Sequence, residues 1–244
     1  VPTQLRRLLR HAAAERAIDC LKALLLGGAP LPEALLEAAY ARGVPLFTTY
    51  GMTETSAQVT TTPPGASLDR LKTAGRVLPH RELEIADDGE ILVRGRTLFR
   101  GYVEGGGLED PRDAEGWFHT GDLGAVDADG YLRVRGRKDN LFISGGENIQ
   151  PEEIERALAQ IDGVRRAVVV PVPDPEFGQR PVAFVEMEED AAPANRLAEQ
   201  LERVLPRFMV PDRFYPWPET LEGDGVKAQR RQLQQEAQRR RAGV

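Results

Sequence analysis

The sequence predicts a chain of mixed α/β and α+β class: the end of a large α/β domain, then a small β-rich subdomain, then a compact α+β domain. Three observations carry this. Residues 21–49 alternate strand, helix and strand with short turns, the pattern of a right-handed parallel crossover. From about residue 58 the pattern changes to short strands, with Asp-Gly at their bends. From about residue 140 a helix, two strands and a second helix form one further unit.

The 244 residues suffice for two domains that each bury a core. Hydrophobic residues make up 41% and charged residues 29%, with 24 Gly and 18 Pro, so the chain is globular and rich in tight turns. Thirty-two basic against 38 acidic side chains give a net charge of -6, which offers no general attraction for nucleic acid or acidic lipid. The single cysteine, Cys20, excludes an internal disulfide and agrees with a reducing compartment. No apolar run approaches the roughly 20 residues that cross a bilayer, and the start has no signal-peptide pattern. The expectation is a soluble, cytoplasmic protein with no nucleic-acid partner and no stable membrane insertion.

Leu5, Leu8 and Leu9 recur at helical spacing. Leu21 to Leu26 reads as a strand bounded by Gly27 and Gly28. Pro32 fits the first turn of a helix whose apolar face is Leu31, Leu35, Leu36 and Ala39, and Gly43 closes it. Val44 to Thr49 is the next strand. A parallel sheet needs more strands than these and helices on both faces. Residues 1–57 are therefore expected to be the tail of a larger α/β sheet region whose earlier part is absent, and 58–138 the β-rich subdomain. Within it Glu90 to Arg94 follows an Asp88-Gly89 turn, Gly124 to Arg135 bends at Asp129-Gly130, and Pro63-Pro64-Gly65 and Gly105-Gly106-Gly107 are loops. In the last domain Pro151 starts a helix with Glu152 and Glu153 in its first turn and Ile154, Leu158 and Ile161 as its stripe. Val164 to Val170 and Pro181 to Met187 are strands, and Asn195 to Leu205 a helix. Arg230 to Arg241 reads as a solvated helix end.

The candidate chemistry sits in six clusters. His11, His80 and His119 are too far apart in sequence to imply a metal site, and Cys20 reads as a packed core residue rather than a nucleophile. Gly27, Gly28 and Ala29 follow a strand; they serve as a tight turn or let a planar ligand approach the backbone. Tyr50, Gly51, Thr53 and Glu54 follow the next strand, where α/β proteins bind ligands. There Glu54 offers a hard oxygen for Mg²⁺ and Thr53 a hydrogen bond to phosphate. Asp122, in Thr120-Gly121-Asp122, is a cap or the acceptor of a ribose diol. Arg137, at a domain boundary, belongs to a polar linker or holds ribose and phosphate oxygens. Gly145 and Gly146 form an ordinary strand-to-helix turn or admit a narrow substrate arm. Lys227, on the glycine-rich segment 222–227, is a surface charge or a point charge delivered to an anionic centre.

These stretches, read in order, resemble the adenylate-forming enzymes: acyl- and aryl-CoA synthetases, peptide-synthetase adenylation domains and luciferases. The resemblance rests on YGMTET, the late TGD, GRKDN with ISGGENIQPEEIE, and the terminal glycine-lysine segment, spanning about residues 26 to 227. Within the family, VPVPDPEFGQRPVAFVE and LPRFMVPDRFYPWPETLEGDGVKAQRRQL are similar to the CoA ligases of bacterial menaquinone synthesis. The resemblance implies ATP-dependent ligation of o-succinylbenzoate to CoA through an acyl adenylate, with ATP, Mg²⁺ and CoA. Another aryl- or fatty-acyl-CoA ligase, a peptide-synthetase adenylation domain and an inactive fragment are the alternatives.

By resemblance, Gly27, Gly28, Ala29, Tyr50 and Gly51 line the adenine site, Thr53 contacts phosphate and Glu54 holds Mg²⁺. Asp122 and Arg137 bind the ribose hydroxyls. Asp139 is the hinge of a mobile lid domain, 139–244, and residues 1–138 belong to the large nucleotide- and acyl-binding domain. Lys227 serves adenylation, and Gly145 and Gly146 line the pantetheine channel during thioester formation. The family's Gly/Ser/Thr-rich phosphate loop has no counterpart in residues 1–25. The chain is accordingly expected to need an N-terminal portion, in the same or a companion chain, for activity. Family members are often dimers, and the sequence leaves a homodimer open.

Overall fold

The computed structural model describes residues 2–10, 14–28, 31–188, 196–218 and 226–242. The chain divides into two compact units, Val1–Lys138 and Asp139–Val244.

The first unit opens with helices α1 (Pro2–Arg10) and α2 (Ala14–Cys20), strand β1 (Leu24–Leu26), helix α3 (Glu33–Ala41) and strand β2 (Leu46–Met52). β1 and β2 run parallel, Leu24 opposite Leu46 and Leu26 opposite Thr48, as the strand–helix–strand pattern requires. Pro32 stands just before α3, and the helix ends at Arg42 and Gly43. Its Leu36 and Ala39 pack with Leu5, Leu26 and Leu46 in one core. Cys20 is exposed, not packed; Ile18 is the α2 residue that enters this core.

A single tight turn at Thr53–Thr55 returns the chain as β3 (Ala57–Thr61), antiparallel to β2, and after α4 (Leu68–Leu71) comes β4 (Arg76–Val77). All four strands form one sheet in the order β1-β2-β3-β4. The change of sheet therefore falls after Val77 rather than at residue 58. A turn this short brings β3 straight back along the β2 edge, so a local pattern change there marks a reversal, not a boundary.

The second sheet uses β5 (Arg81–Ile85) and β6 (Glu90–Gly95), then, after the hairpin β7 (Tyr102–Glu104) and β8 (Gly107–Glu109), β9 (Phe118–Val126) and β10 (Leu132–Arg137). Its order is β10-β9-β6-β5, antiparallel throughout. Asp127 holds the β9–β10 bend by accepting the amides of Asp129 and Tyr131. The stretch 105–107 is not all loop: Gly107 begins β8 and pairs with Glu104. Tyr50 and Val59 from the first sheet pack with Ile91, Val93, Phe118 and Leu132 from the second.

The second unit begins with the hairpin β11 (Phe142–Ser144) and β12 (Glu147–Ile149), then α5 (Pro151–Ala159). β13 (Val164–Asp174) and β14 (Gly178–Met187) are antiparallel; after α6 (Leu197–Leu201), β15 (Arg213–Pro216) joins β14 in parallel, and α7 (Val226–Ala242) closes the unit. Strand alternation feeds two cores. Val169, Ala183 and Val185 pack with Ile154 and Leu158 of α5 and with α6. Val168, Val170, Val172, Val182 and Phe184 pack on the other face against Leu233 and Ala237 of α7.

Two expectations change here. Residues 230–241 are not a solvated helix end: Leu233 and Ala237, one turn apart, are 0% exposed. Two apolar contacts suffice to bury one face of a helix in which ten of 17 residues are Gln or Arg. The helix placed at 195–205 is shorter, Leu197–Leu201, and Asn195 lies outside the described residues. Among the described residues, no helix is long and apolar enough to cross a membrane.

Candidate functional site

β1 and β2 end side by side, and the segments that leave them open onto a groove of about 540 Å³. Gly27 and Gly28 line it from the first strand, and Gly51, Met52 and Thr53 from the second. Carboxyl ends of adjacent parallel strands are where open α/β sheets bind ligands. Gly51 is required by close approach: a Cβ there would lie 1.8 Å from the Ala57 carbonyl oxygen. The reversal is tied by Thr55, whose hydroxyl accepts the Met52 amide at 3.2 Å. Thr53 is exposed at the groove and Glu54 half-buried. The Tyr102 hydroxyl donates to Glu54 Oε1 at 3.0 Å, fixing that carboxylate. Ala29 lies outside the described residues.

A second cluster forms where β9 and β10 pair, because their register sets Arg137 opposite Asp122. Arg137 Nη1 donates to the Thr120 carbonyl at 2.8 Å and to Asp122 Oδ1 at 3.1 Å. The buried Tyr50 donates its hydroxyl to Asp122 Oδ2 at 2.8 Å. Burial and the Asp122 charge push the Tyr50 hydroxyl pKa far up, so it stays a donor at any physiological pH. Each Asp122 oxygen thus takes one donor, and a carboxylate offers about four lone-pair sites. The orientation is fixed while acceptor capacity remains for a vicinal diol.

Behind this pair lies a charged group that the sequence reading missed. Glu90, 5% exposed, accepts the Gly121 amide at 2.8 Å and Lys138 Nζ at 2.8 Å. Lys138 also reaches Asp88, at 2.5 Å. His119 Nδ1 lies 3.4 Å from Glu90, and its Nε2 3.2 Å from Asp113. Burial pushes the Glu90 carboxyl up, but hydrogen bonds from Lys138, Gly121 and His119 outweigh it and hold the pKa below the ordinary value. The available signal was an acid opening an otherwise apolar run, Glu90-Ile91-Leu92-Val93, all four buried. The sequence reading placed that acid at the start of the strand and gave it no role.

In the second unit Gly145 and Gly146 make the turn of the β11–β12 hairpin, so they connect strand to strand, with α5 following β12. The Gly145 amide donates to the Phe177 carbonyl at 2.9 Å, tying this turn to the β13–β14 bend. Asp139 is the first residue of this unit. Lys227 lies in the first turn of α7, and segment 219–225 before it is outside the described residues.

The structure thus brings Gly27, Gly28, Gly51 and Thr53 onto one groove and joins Tyr50, Asp122 and Arg137 by hydrogen bonds. Among the described residues no group of three or more His, Cys, Asp or Glu is placed to hold a metal. A single carboxylate such as Glu54 fits Mg²⁺, which takes one or two carboxylates together with phosphate oxygens.

The first unit thus carries a parallel-strand groove beside an oriented carboxylate–guanidinium pair, and a small α+β unit follows it in the chain. Residues 1–103 match the AMP-binding enzyme family, and residues 153–222 match the AMP-binding enzyme C-terminal domain. The chain belongs to this adenylate-forming family. It is 44% identical over 235 residues to the 2-succinylbenzoate–CoA ligase of Salmonella typhimurium, covering 96% of this chain and 49% of the relative. Among solved structures it is similar to an Escherichia coli MenE variant with bound OSB-AMS, with a TM-score of 0.82 and 38% identity over 96% of this chain and 50% of that one. It is similar also to the o-succinylbenzoate coenzyme A synthetase of Bacillus subtilis in complex with ATP and magnesium ion, with a TM-score of 0.75 and 33% identity over 88% and 46%. The chain spans about half the length of the relatives it matches.

Proposed function

We propose that this chain is part of an acid–thiol ligase that joins o-succinylbenzoate to CoA through an acyl adenylate. In the first half-reaction a carboxylate oxygen bonds to the α-phosphorus of ATP and the bond to pyrophosphate breaks. In the second, the CoA thiol adds to the acyl carbon, loses its proton, and AMP leaves. The observation that carries the reading is the Tyr50–Asp122–Arg137 cluster beside the glycine-lined groove. Tyr50 and Arg137 each hold one Asp122 oxygen, so the carboxylate meets the ribose hydroxyls already oriented, which lowers the entropy cost of binding.

In this reading the adenine lies along Gly27, Gly28, Ala29, Tyr50 and Gly51, and Thr53 donates to phosphate. Glu54 would hold Mg²⁺, which when bound offsets phosphate charge. Lys227 sets its positive charge where negative charge gathers at the α-phosphate and is withdrawn for the second half-reaction, when Gly145 and Gly146 flank the pantetheine arm. Asp139 is the residue about which the second unit swings, a gating step of the kind that reuses one site twice.

No stretch of residues 1–25 resembles the family's β,γ-phosphate loop, so these 244 residues assayed alone should bind nucleotide and turn over little. An N-terminal portion, in the same or a companion chain, would restore turnover. Cytoplasmic location and homodimeric assembly complete the proposal.

Exchange of labelled pyrophosphate into ATP tests the first half-reaction. The longest form of the gene product is assayed with o-succinylbenzoate, benzoate or a medium-chain fatty acid. Exchange that depends on o-succinylbenzoate is expected. Exchange with the other acids alone would replace the substrate, and exchange with none, in a form that carries the N-terminal portion, would remove the activity.

A further inference from the structure

Lys227 stands in the first turn of α7, and one residue before it and one after it in the chain, Trp217 and Gln229, are held by one side chain of the sheet. Arg166, on β13, lays its guanidinium over the Trp217 ring at 3.4 Å from the centroid. Its Nη2 also donates to Gln229 Oε1 at 3.3 Å. Trp217 directly follows β15, and Gln229 follows Lys227 by two residues. Arg166 therefore grips the chain on both sides of segment 218–228, at its entry and at its exit.

The grip has a second anchor on the exit side. Arg230 is 13% exposed; its Nη1 donates to the Val169 carbonyl at 2.5 Å and its Nη2 lies 2.8 Å from Glu155 Oε1. Gln229 is itself 7% exposed. Stacking on an indole with a directed hydrogen bond needs a flat guanidinium with several fixed donors, which lysine does not offer.

We propose that Arg166 is a positioning residue: by bridging Trp217 and Gln229 it holds the ends of the Lys227 segment and so sets where the Lys227 backbone stands. The inference rests on the reading of Lys227 as the adenylation lysine. Arg166 touches no reacting atom in this account and acts through the placement of Lys227 alone. Misplacing a catalytic group by about 1 Å costs up to ~10²-fold, so loss of the bridge should slow adenylation by ~10- to 100-fold. Thioester formation from preformed adenylate should not change.

Two measurements test it. In the 244-residue chain, amide hydrogen exchange at 230–233, the first α7 amides whose intrahelical acceptors lie at 226–229, should quicken at least ~10-fold in Arg166→Met, with Arg166→Lys intermediate and exchange in α5 unchanged, as for local rather than global opening. Unchanged exchange at 230–233 would overturn the proposal, and so would equal acceleration throughout the unit. In the longest form of the gene product, Arg166→Met should lower the adenylation rate with the KM for ATP unchanged. Combined with Lys227→Ala it should add no further loss, whereas a merely structural role would add its own. If Lys227→Ala slows adenylation but Arg166→Met does not, this inference alone falls. If Lys227→Ala has no effect, the reading of Lys227 falls and the positioning role goes with it.

Discussion

Alanine at Gly121 tests whether the Asp122–Arg137 pair is held by packing as well as by charge. Gly121 has φ +68°, and a Cβ there would lie 2.7 Å from Arg137 Nη2. The left-handed backbone costs an alanine about 1–2 kcal/mol. To reach ordinary contact at 3.4 Å the guanidinium must retreat by about 0.7 Å (3.4 − 2.7 Å). Its bond to Asp122, 3.1 Å now, would then pass beyond hydrogen-bonding distance. That bond is worth about 1 kcal/mol once solvent screening of a partly exposed Arg137 is allowed for. The first unit should therefore lose about 2–3 kcal/mol. Gly65→Ala is the control, with the same φ of +68° and no atom within 4 Å, and should lose only the backbone part. The two tryptophans, Trp117 and Trp217, fall one in each unit. Urea unfolding followed by Trp117 fluorescence in a Trp217→Phe background thus reports the first unit. AMP affinity, measured by calorimetry on the same proteins, should fall about 5-fold or more beyond the control, the equivalent of that ~1 kcal/mol. Equal losses of stability and affinity for the two alanines would refute the packing account.

Lys227→Ala should slow adenylation by about 10²-fold or more, the scale for losing one well-placed charge donor. Thioester formation from preformed adenylate should be little affected, and single-turnover assays of each half-reaction would show the division. Burial lowers the His119 pKa, but its hydrogen bonds to Glu90 and Asp113 outweigh this and raise it above 6.5. Its stabilising contribution is therefore complete below pH 6.5 and fades as pH rises through the folded-state value. An NMR titration of the imidazole should show the raised pKa, and Glu90→Gln should bring it down. Leu233, 0% exposed, is core and not helix-end surface. Leu233→Ala should cost the second unit about 2–5 kcal/mol, against less than about 0.5 kcal/mol for the exposed Gln235→Ala; denaturant unfolding followed by Trp217 fluorescence decides between these.

The sequence made the parallel β1–α3–β2 crossover legible because strand, helix and turn signals agreed along residues 21–49, although the strands themselves are Leu24–Leu26 and Leu46–Met52. The Asp129-Gly130 hairpin was equally plain. Sheet membership of β3 and β4 was not, since pairing partners lie beyond any local window. The last helix was misread because two buried residues, Leu233 and Ala237, carry its packing while ten of its residues, in the stretches 229–235 and 238–241, are Arg or Gln. Cys20 shows the converse: a residue type that is usually buried stands exposed at a helix end. In the candidate site, Asp122 and Arg137 were nameable separately, but their cross-strand pairing and the Tyr50 bond are products of register. Glu90 and Arg166 left no motif, and Lys138 stood inside GRKDN with no role of its own, because each acts through partners far away in the sequence.

The central claim is the identity of the acid that is joined to CoA. The longest form of the gene product would be supplied with ATP, Mg²⁺, CoA and an equal mixture of o-succinylbenzoate, benzoate and a medium-chain fatty acid, and the thioesters identified by mass spectrometry. The account predicts o-succinylbenzoyl-CoA as the dominant product, with AMP formed in equal amount. Thioesters of the other acids without it, or ADP in place of AMP, would contradict the account.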